Sequence, residues 1–476
     1  MKYTLPAVFL SLLLLVPLVH SQSASTIPFT ITPSTPENES NYTAPVFPIA
    51  PFTKYAHNPI LSPNPQANWE SAYLYNPTAL VLNSTIFLLY RAQNSTKTSS
   101  IGLAWSTDGV TFTRLDRPII YATEAYEAIG GTEDPRIVRV NGTFYVTYTA
   151  FNNVTAQLCL ATSTNLLDWH KHGPIFPDGF MDVAYSDIDV PSPRINHTKS
   201  GAIVKEPTSS DGLYHMYFGD SFFYHATSPD LLNWTALPAE EYFAAPLNPW
   251  ENRLIEPGPA PIKTRDGKWL LVYNGMTTGR VGYPQNQYSV GQMLIDPSGS
   301  FRPVLNASTT TYQPALRDGP VARLERPILV PESGNEQQGQ VDQVVFAEGL
   351  VQFKGKWYLY FGKSNGKGIV ISAWRLQMCS HEHSPRVAVN EAAALDYIED
   401  MIYVKCINPG YIDTAMLDWI KAKKGGKRAE AAMARVAGLH PWGRVARSEE
   451  VASMAVPGAS FCTGQAFVVD RGYTGQ

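Results

Sequence analysis

Between Tyr55 and about Trp374 the apolar positions fall in short runs that recur at a spacing of roughly 55 to 90 residues. Each unit holds an apolar strand, a turn, and a second strand that closes on an aromatic residue. The second strands are IFLLYRA through Tyr90, FYVTYTA through Tyr148, LYHMYFG through Tyr217, WLLVYNG through Tyr273 and WYLYFGK through Tyr360. Asn141-Gly142, Asp266-Gly267 and Lys354-Gly355 stand between apolar runs as hairpin turns. Further strands follow in IGLAWSTDGVTF, LCLATSTNLLDW and YHATSPDLLNW, where Ser106, Ser163 and Ser228 open what reads as one turn used repeatedly. A supersecondary unit repeated five times, almost without helical period, predicts an all-β domain over 51–378, a five-bladed β-propeller of four-stranded blades. A pair of β-sandwiches competes with this reading but would need Greek-key connections that the spacing does not supply.

The flanks have a different texture. Lys2 followed by the apolar run Phe9 to Val19 and by Val19-His20-Ser21 predicts a cleaved signal peptide over 1–21. That run is too short to cross a bilayer, and no later run is long enough, so no membrane partner is expected. Residues 22–50 are rich in Ser, Thr, Pro and Asn without apolar period and predict a flexible, glycosylated leader. Beyond about 378, Ala-rich helical stretches at Asn390 to Asp396 and Ala415 to Leu439 alternate with strands at Ile402 to Ile407 and Ala466 to Val469. That alternation predicts a small α/β fragment over 379–476.

Composition narrows the chemistry. Asn38, Asn41, Asn83, Asn94, Asn141, Asn153, Asn196, Asn233 and Asn306 each open a glycosylation triplet, all of them before the C-terminal segment, which agrees with secretion. Cys159 stands alone in the main domain, so an ordinary core and not a disulfide framework must hold it. No Cys or His spacing suggests a metal, and no cofactor is expected. A net charge of −4 leaves no electrostatic footprint for nucleic acid. The 25 Tyr and 10 Trp suit both a β-rich core and the faces of sugar rings.

In a propeller the first strand of each blade starts near the central axis, so equivalent starts converge on one funnel. Those starts carry Asn76, Asp134, Lys199, Glu256 and Asp342 with Gln343. Polar residues there could serve solvation alone; their convergence is what suggests a site. The densest run is Gly130-Gly131-Thr132-Glu133-Asp134-Pro135-Arg136. Pro135 biases Asp134 towards an extended conformation, and the glycines permit close approach of backbone or ligand. On an extended strand Asp134 and Arg136 share a face, so Arg136 could tune the acid or form a structural ion pair with it.

The stretch GGTEDPRIVRVNGTFYVTYTA resembles the signature of glycoside hydrolase family 130, the β-mannoside phosphorylases and β-mannosidases. The resemblance runs from about Asn58 to Trp374 and includes NPTALVLNSTIFLLYRA, IEPGPAPI and VVFAEGLVQFKGKWYLYFG. It implies an oligosaccharide substrate, inversion at the anomeric carbon and Asp134 as general acid, acting through a sugar hydroxyl. Asn76, Arg91, Glu133, Arg136, Lys199, Asn274 and Asp342 become candidate substrate-binding or phosphate-binding positions. Asn274 stands where phosphorylases of the family usually carry His, and Asn365 where they often carry Asp. With secretion, these departures favour hydrolysis, Glu256 being the candidate base, and phosphorolysis is the alternative. Families 43 and 32 would need a carboxylate where this chain has the amides Asn58 and Asn76. A non-catalytic sugar-binding propeller is the reading from another class.

The C-terminal stretches MIYVKCINPGYIDTAML, HPWGRVARSEEVAS and SFCTGQAFVVDRGYTGQ are similar to the last third of short-chain dehydrogenases. No Gly-rich strand–helix turn and no Tyr-x-x-x-Lys pair precedes them. An incomplete Rossmann-type fragment that binds no dinucleotide is therefore expected.

Overall fold

A computed structural model describes residues 26–375 apart from 183–193, 210, 280–281, 296–319, 321, 333 and 365, together with four short strands beyond 405. The signal peptide, the helical stretches of the tail and Asn306 lie outside the described residues.

The recurring apolar runs fold into antiparallel meanders of four strands. Tyr73–Leu82, Thr85–Gln93, Ser99–Ser106 and Thr113–Arg114 make the first. Gly131–Val140, Thr143–Phe151, Ala156–Ser163 and His170–Pro174 make the second. Ala202–Ile203, Tyr214–Phe218, Tyr224–Ser228 and Thr235–Ala236 make the third. In the fourth, Leu254–Pro257 and Ile262–Lys263 both pair with Trp269–Met276, and Tyr288–Ile295 and Ala322–Arg323 follow. The fifth takes Val345–Phe353, Lys356–Lys363 and Val370–Arg375 from late in the chain and is completed by Thr53–Lys54 from its beginning.

The core lies between neighbouring units. Leu89, Leu103, Ile137 and Phe144 pack together where the first meets the second, and Leu158, Leu160, Met216 and Phe218 where the second meets the third. Tyr217, Phe223, Trp250 and Leu271 join the third to the fourth; Leu270, Val272, Leu350 and Leu359 join the fourth to the fifth. Val81, Leu88, Val351 and Tyr360 pack together where the fifth meets the first. The all-β expectation is met; among the described residues the longest helix is the single turn Gly334–Gln337.

The expected turns are present. Asn141 and Gly142 both have positive φ, as do Lys354 and Gly355, matching the twist of the strands they join. The turn after the third strand is indeed one motif reused: Ser106 Oγ accepts from Gly109 N, Ser163 Oγ from Leu166 N and Ser228 Oγ from Leu231 N, at 2.8–3.0 Å.

A second repeated device ties the units together internally. Single-turn helices NWE, AYE and PWE each place a buried Glu against the Tyr of a second strand and a cation from a fourth. Glu70 accepts from Tyr90 and Arg114 at 2.8 and 2.9 Å, and Glu127 from Tyr148 and Lys171 at 2.8 and 2.6 Å. Glu251 pairs with Arg323, which donates to Tyr273 Oη at 3.1 Å. Each carboxylate satisfies groups that would otherwise be buried without partners. Glu127→Gln removes the countercharge of Lys171, whose ammonium keeps Tyr121 O and Thr123 Oγ1 at 2.6 and 3.0 Å, and should lower stability by about 1–3 kcal/mol in denaturant titration, with its slope unchanged.

The leader departs from expectation. Residues 26–50 are not a flexible segment: Ile31 and Ile49 are buried, and the chain lies against the units. The buried Gln292 amide takes both Ile49 N–H and Ile49 C=O, at 2.9 and 2.6 Å, and Gln352 does the same for Thr43 at 2.7 and 2.8 Å. Arg139 donates to the carbonyls of Thr32 and Thr35. Recognition through the main chain leaves no hydrophobic period, which is why composition alone suggested disorder. In the tail, Cys406–Pro409 pairs in parallel with Ala466–Val469, and Ile412–Asp413 with Ala446–Arg447.

Candidate active site

Three first strands carry a bulge at the same level. The register shifts between Tyr75 and Thr78, between Glu133 and Arg136, and between Ala347 and Gly349. The bulged residues include Asn76, Asp134 and Glu348, and a bulge re-aims a side chain that regular alternation would send elsewhere. Asn76 and Asp134 have φ of 45° and 50°. Asp134 is thus left-handed, not extended as the following proline suggested; strain of this kind in a non-glycine residue clusters at functional sites. The Gly130-Gly131 pair serves backbone approach and not a ligand. A Cβ on Gly131 would lie 2.1 Å from Ser99 O, the residue with which Gly131 pairs across the first two units.

Asp134 is 3% exposed, and its Oδ1 accepts from Asn76 Nδ2 at 2.8 Å and Arg91 Nη1 at 3.1 Å. Arg91 also bonds Glu133, which accepts from Ser99 Oγ at 2.9 Å. Asn76, Arg91 and Asp134 form one wall of a cavity of about 210 Å³, and Glu133 reaches it only through Arg91. Lys199 and Glu256 lie on the same cavity, with Tyr75, Tyr288 and Phe346 as aromatic walls. The Ser200 hydroxyl donates to Glu256. A larger cavity of about 420 Å³ lies further along the same first strands, beneath the leader, and holds none of the predicted site residues.

Charge divides the acids. Burial pushes the Asp134 carboxyl up, but Arg91, Lys199, Arg136 and the Asn76 hydrogen bond outweigh it and hold Asp134 below its ordinary range. Burial dominates at Glu256 and Glu133 and raises both, against the pull of Lys199 and Arg91. Burial pulls the Lys199 ammonium down, yet the carboxylates of Glu256, Asp220, Asp134 and Glu133 hold it above its usual value. In the free protein Asp134 is therefore an ionised group, and a proton rests more readily on Glu256.

Several predicted residues take other places. Arg136 does not share the face of Asp134, because the bulge intervenes. It lies underneath, bonding the carbonyls of Pro257, Gly258 and Asp134 and pairing with Glu348 at 2.9 Å. Asn274 is not on the cavity: its amide takes Ala347 N and Ala347 O at 2.7 and 3.1 Å, tying the fourth unit's Trp269–Met276 to the first strand of the fifth. Asp342 is exposed and its Oδ1 accepts from Gly339 N at 2.8 Å. Glu348 and Lys363 were missed. Glu348 sits at the fifth unit's equivalent of Asp134, which the repeat alignment could have found. Lys363 ends a second strand, where no strand-start rule looks.

The described residues hold no cluster of His, Cys, Asp or Glu suited to a metal ion. No helix among them is long and apolar enough to cross a membrane.

Residues 51–379 match the family described as beta-1,4-mannooligosaccharide phosphorylase, and residues 387–474 match one described as enoyl-(acyl carrier protein) reductase. A 1,2-beta-oligomannan phosphorylase of Thermoanaerobacter sp. (strain X514) is 30% identical over 340 residues, covering 68% of this chain and 97% of that protein. A solved structure described under a family of mannoside phosphorylases that contains glycoside hydrolases targeting β-1,2 mannosidic linkages in Candida mannan is 31% identical, with a TM-score of 0.57. The match covers 70% of this chain and 97% of that one. The tail resembles a cyclohexanol dehydrogenase of Acinetobacter sp. (strain SE19), 37% identical over 90 residues, 18% of this chain and 32% of that protein.

Proposed function

Because the chain belongs to glycoside hydrolase family 130, we propose that it cleaves β-mannosidic bonds with inversion in the cavity that Asp134 lines, its five units standing around that cavity as propeller blades. The observation that carries this reading is the buried Asp134 held by Asn76 and Arg91 beside Lys199 and Glu256. The acceptor we propose is phosphate. The curated relative named above is a phosphorylase, and the sequence argument for hydrolysis weakens because Asn274 is a strand-to-strand tie and not a wall of the cavity.

In that reaction Asp134 gives a proton, relayed through a sugar hydroxyl, to the departing glycosidic oxygen, the bond from that oxygen to the anomeric carbon breaks, and a phosphate oxygen bonds the anomeric carbon from the opposite face. The proton carried by hydrogen phosphate then restores Asp134. Asp134 must first gain a proton, although the free protein keeps it ionised. An anion arriving beside Arg91 and Lys199 offsets their pull and raises Asp134, so acceptor binding prepares the acid. Purified protein incubated with β-1,2- and β-1,4-mannobiose should form mannose 1-phosphate when millimolar phosphate is supplied, and should consume the mannobiose about tenfold or more faster than without it.

One observation favours a second reading, hydrolysis: Glu256 is a buried carboxylate on the same cavity, suited to activating water. Mannose released at a rate indifferent to phosphate would establish it. In that case Glu256→Gln should abolish most turnover, by a factor on the order of 10². Action outside the cell is part of the same proposal; a mass loss on enzymatic deglycosylation of the protein from its own host would support it.

A further inference from the structure

Two ammonium groups line the cavity, and they differ in their company. Lys199 faces four carboxylates, those of Glu256, Asp220, Asp134 and Glu133. Lys363 comes from the fifth unit, at the end of Lys356–Lys363, beside Gly362, Ser364 and Gln340. It is only 5% exposed. Its one electrostatic partner among the described residues is Glu336. Glu336 is already taken: Lys54 Nζ sits 2.7 Å from its Oε2, and Glu332 N donates to the same oxygen at 2.8 Å. Arg91, on the same cavity, is likewise matched, by Glu133 and Asp134. Lys363 is thus a buried cation at a cavity wall with no carboxylate of its own, and burial accordingly pulls its ammonium below the usual value.

A charge in that position is costly unless something answers it. A neutral sugar hydroxyl would supply a dipole but leave the charge uncompensated. An anionic oxygen would supply both a hydrogen-bond acceptor and the missing countercharge. We propose that Lys363 is a binding residue for a phosphate-type anion in this cavity, one that sequence reasoning did not reach. The anion has two sources with the same chemistry: inorganic phosphate as acceptor, or a phosphate carried on a mannoside. The inference rests on the reading of this cavity as the mannoside-cleaving site. It adds a residue on the fifth unit to Arg91 and Lys199.

The test is a binding titration of the full chain with inorganic phosphate and, separately, with mannose 6-phosphate and mannose, at low ionic strength. Parent protein is compared with Lys363→Met, with Lys363→Arg, and with Lys97→Met as an exposed control. Lys363→Met should weaken at least one phosphate probe about tenfold or more, Lys363→Arg should recover part of that loss, and mannose affinity should change less than twofold. Dependence seen with inorganic phosphate assigns the acceptor; dependence seen with mannose 6-phosphate alone assigns a substrate-borne group. Equal phosphate affinity in parent and Lys363→Met, or no binding of either probe by the parent, overturns the proposal. Mannobiose turnover is scored in parallel on the parent. Phosphate binding without turnover would sink the enzymatic reading and spare Lys363, whereas turnover without Lys363-dependent binding would do the reverse.

Discussion

Asp134→Asn should fold like the parent and lose turnover by a factor on the order of 10² or more, the usual effect of removing a general acid. The substitution is unusually clean here. Asp134 has a φ of 50°, a conformation in which Asn is among the best tolerated of non-glycine residues. An amide oxygen in place of Oδ1 can still accept from Asn76 Nδ2 and Arg91 Nη1. What disappears is the proton the carboxyl can hold, along with a charge that Arg91 and Lys199 compensate. Denaturant midpoint and sugar binding should therefore stay near parental values while mannose or mannose 1-phosphate release collapses. Turnover within a few-fold of the parent would remove Asp134 from the chemistry. A variant that binds mannobiose like a parent which itself cleaves no mannoside would favour the non-catalytic reading. The loss should also survive a change of acceptor, because phosphate and water both need the leaving oxygen protonated.

The sequence exposed the parts of this molecule that depend on period and on local turn chemistry. Strand pairs around Asn141-Gly142 and Lys354-Gly355, and the Ser106, Ser163 and Ser228 turns, follow from residues adjacent in the chain. Asn76, Asp134, Lys199 and Glu256 were legible as a group because a repeated unit puts equivalent positions in one place. The rest depended on geometry that breaks the repeat. Alternation put Arg136 beside Asp134, but the bulge between Glu133 and Arg136 sends them to different levels. Asn274 looked like a substituted phosphate ligand, yet its position in the register makes it a backbone tie to Ala347. The leader is held through its peptide groups by Gln292 and Gln352, far away in sequence, and peptide groups leave no trace in composition. The recurring Trp-Glu and Tyr-Glu pairs at Glu70, Glu127 and Glu251 were readable as a repeat, and only contact with Tyr90, Tyr148 and Arg323 gives them meaning.

Arg136→Met should be the most destabilising single change near the site, by about 3–5 kcal/mol, the range for breaking a buried ion pair from one side. Arg136 is 2% exposed and Glu348 fully buried, and the two meet at 2.9 Å beneath Asp134. The guanidinium also satisfies the carbonyls of Pro257 and Gly258, which methionine cannot. Glu348→Gln keeps an acceptor for Arg136 but removes its countercharge, and should cost less than Arg136→Met, which loses both. A double change, Arg136→Met with Glu348→Leu, should recover part of the loss by removing the stranded acid. The pH dependence separates this account from simple loss of packing. Burial pushes the Glu348 carboxyl well above its ordinary range, with Arg136 opposing that rise. A carboxyl raised on folding binds more protons in the native state, so stability falls as pH climbs from the unfolded value through the folded one. Removing Arg136 raises Glu348 further and deepens that fall. The destabilisation by Arg136→Met should then grow only as pH rises past the parent's own raised folded value, where its Glu348 ionises against Arg136 and the variant's stays protonated. Urea titrations of the parent and Arg136→Met from acidic to alkaline pH measure it directly. An identical loss throughout would assign the effect to the carbonyls and to packing, and not to the ion pair.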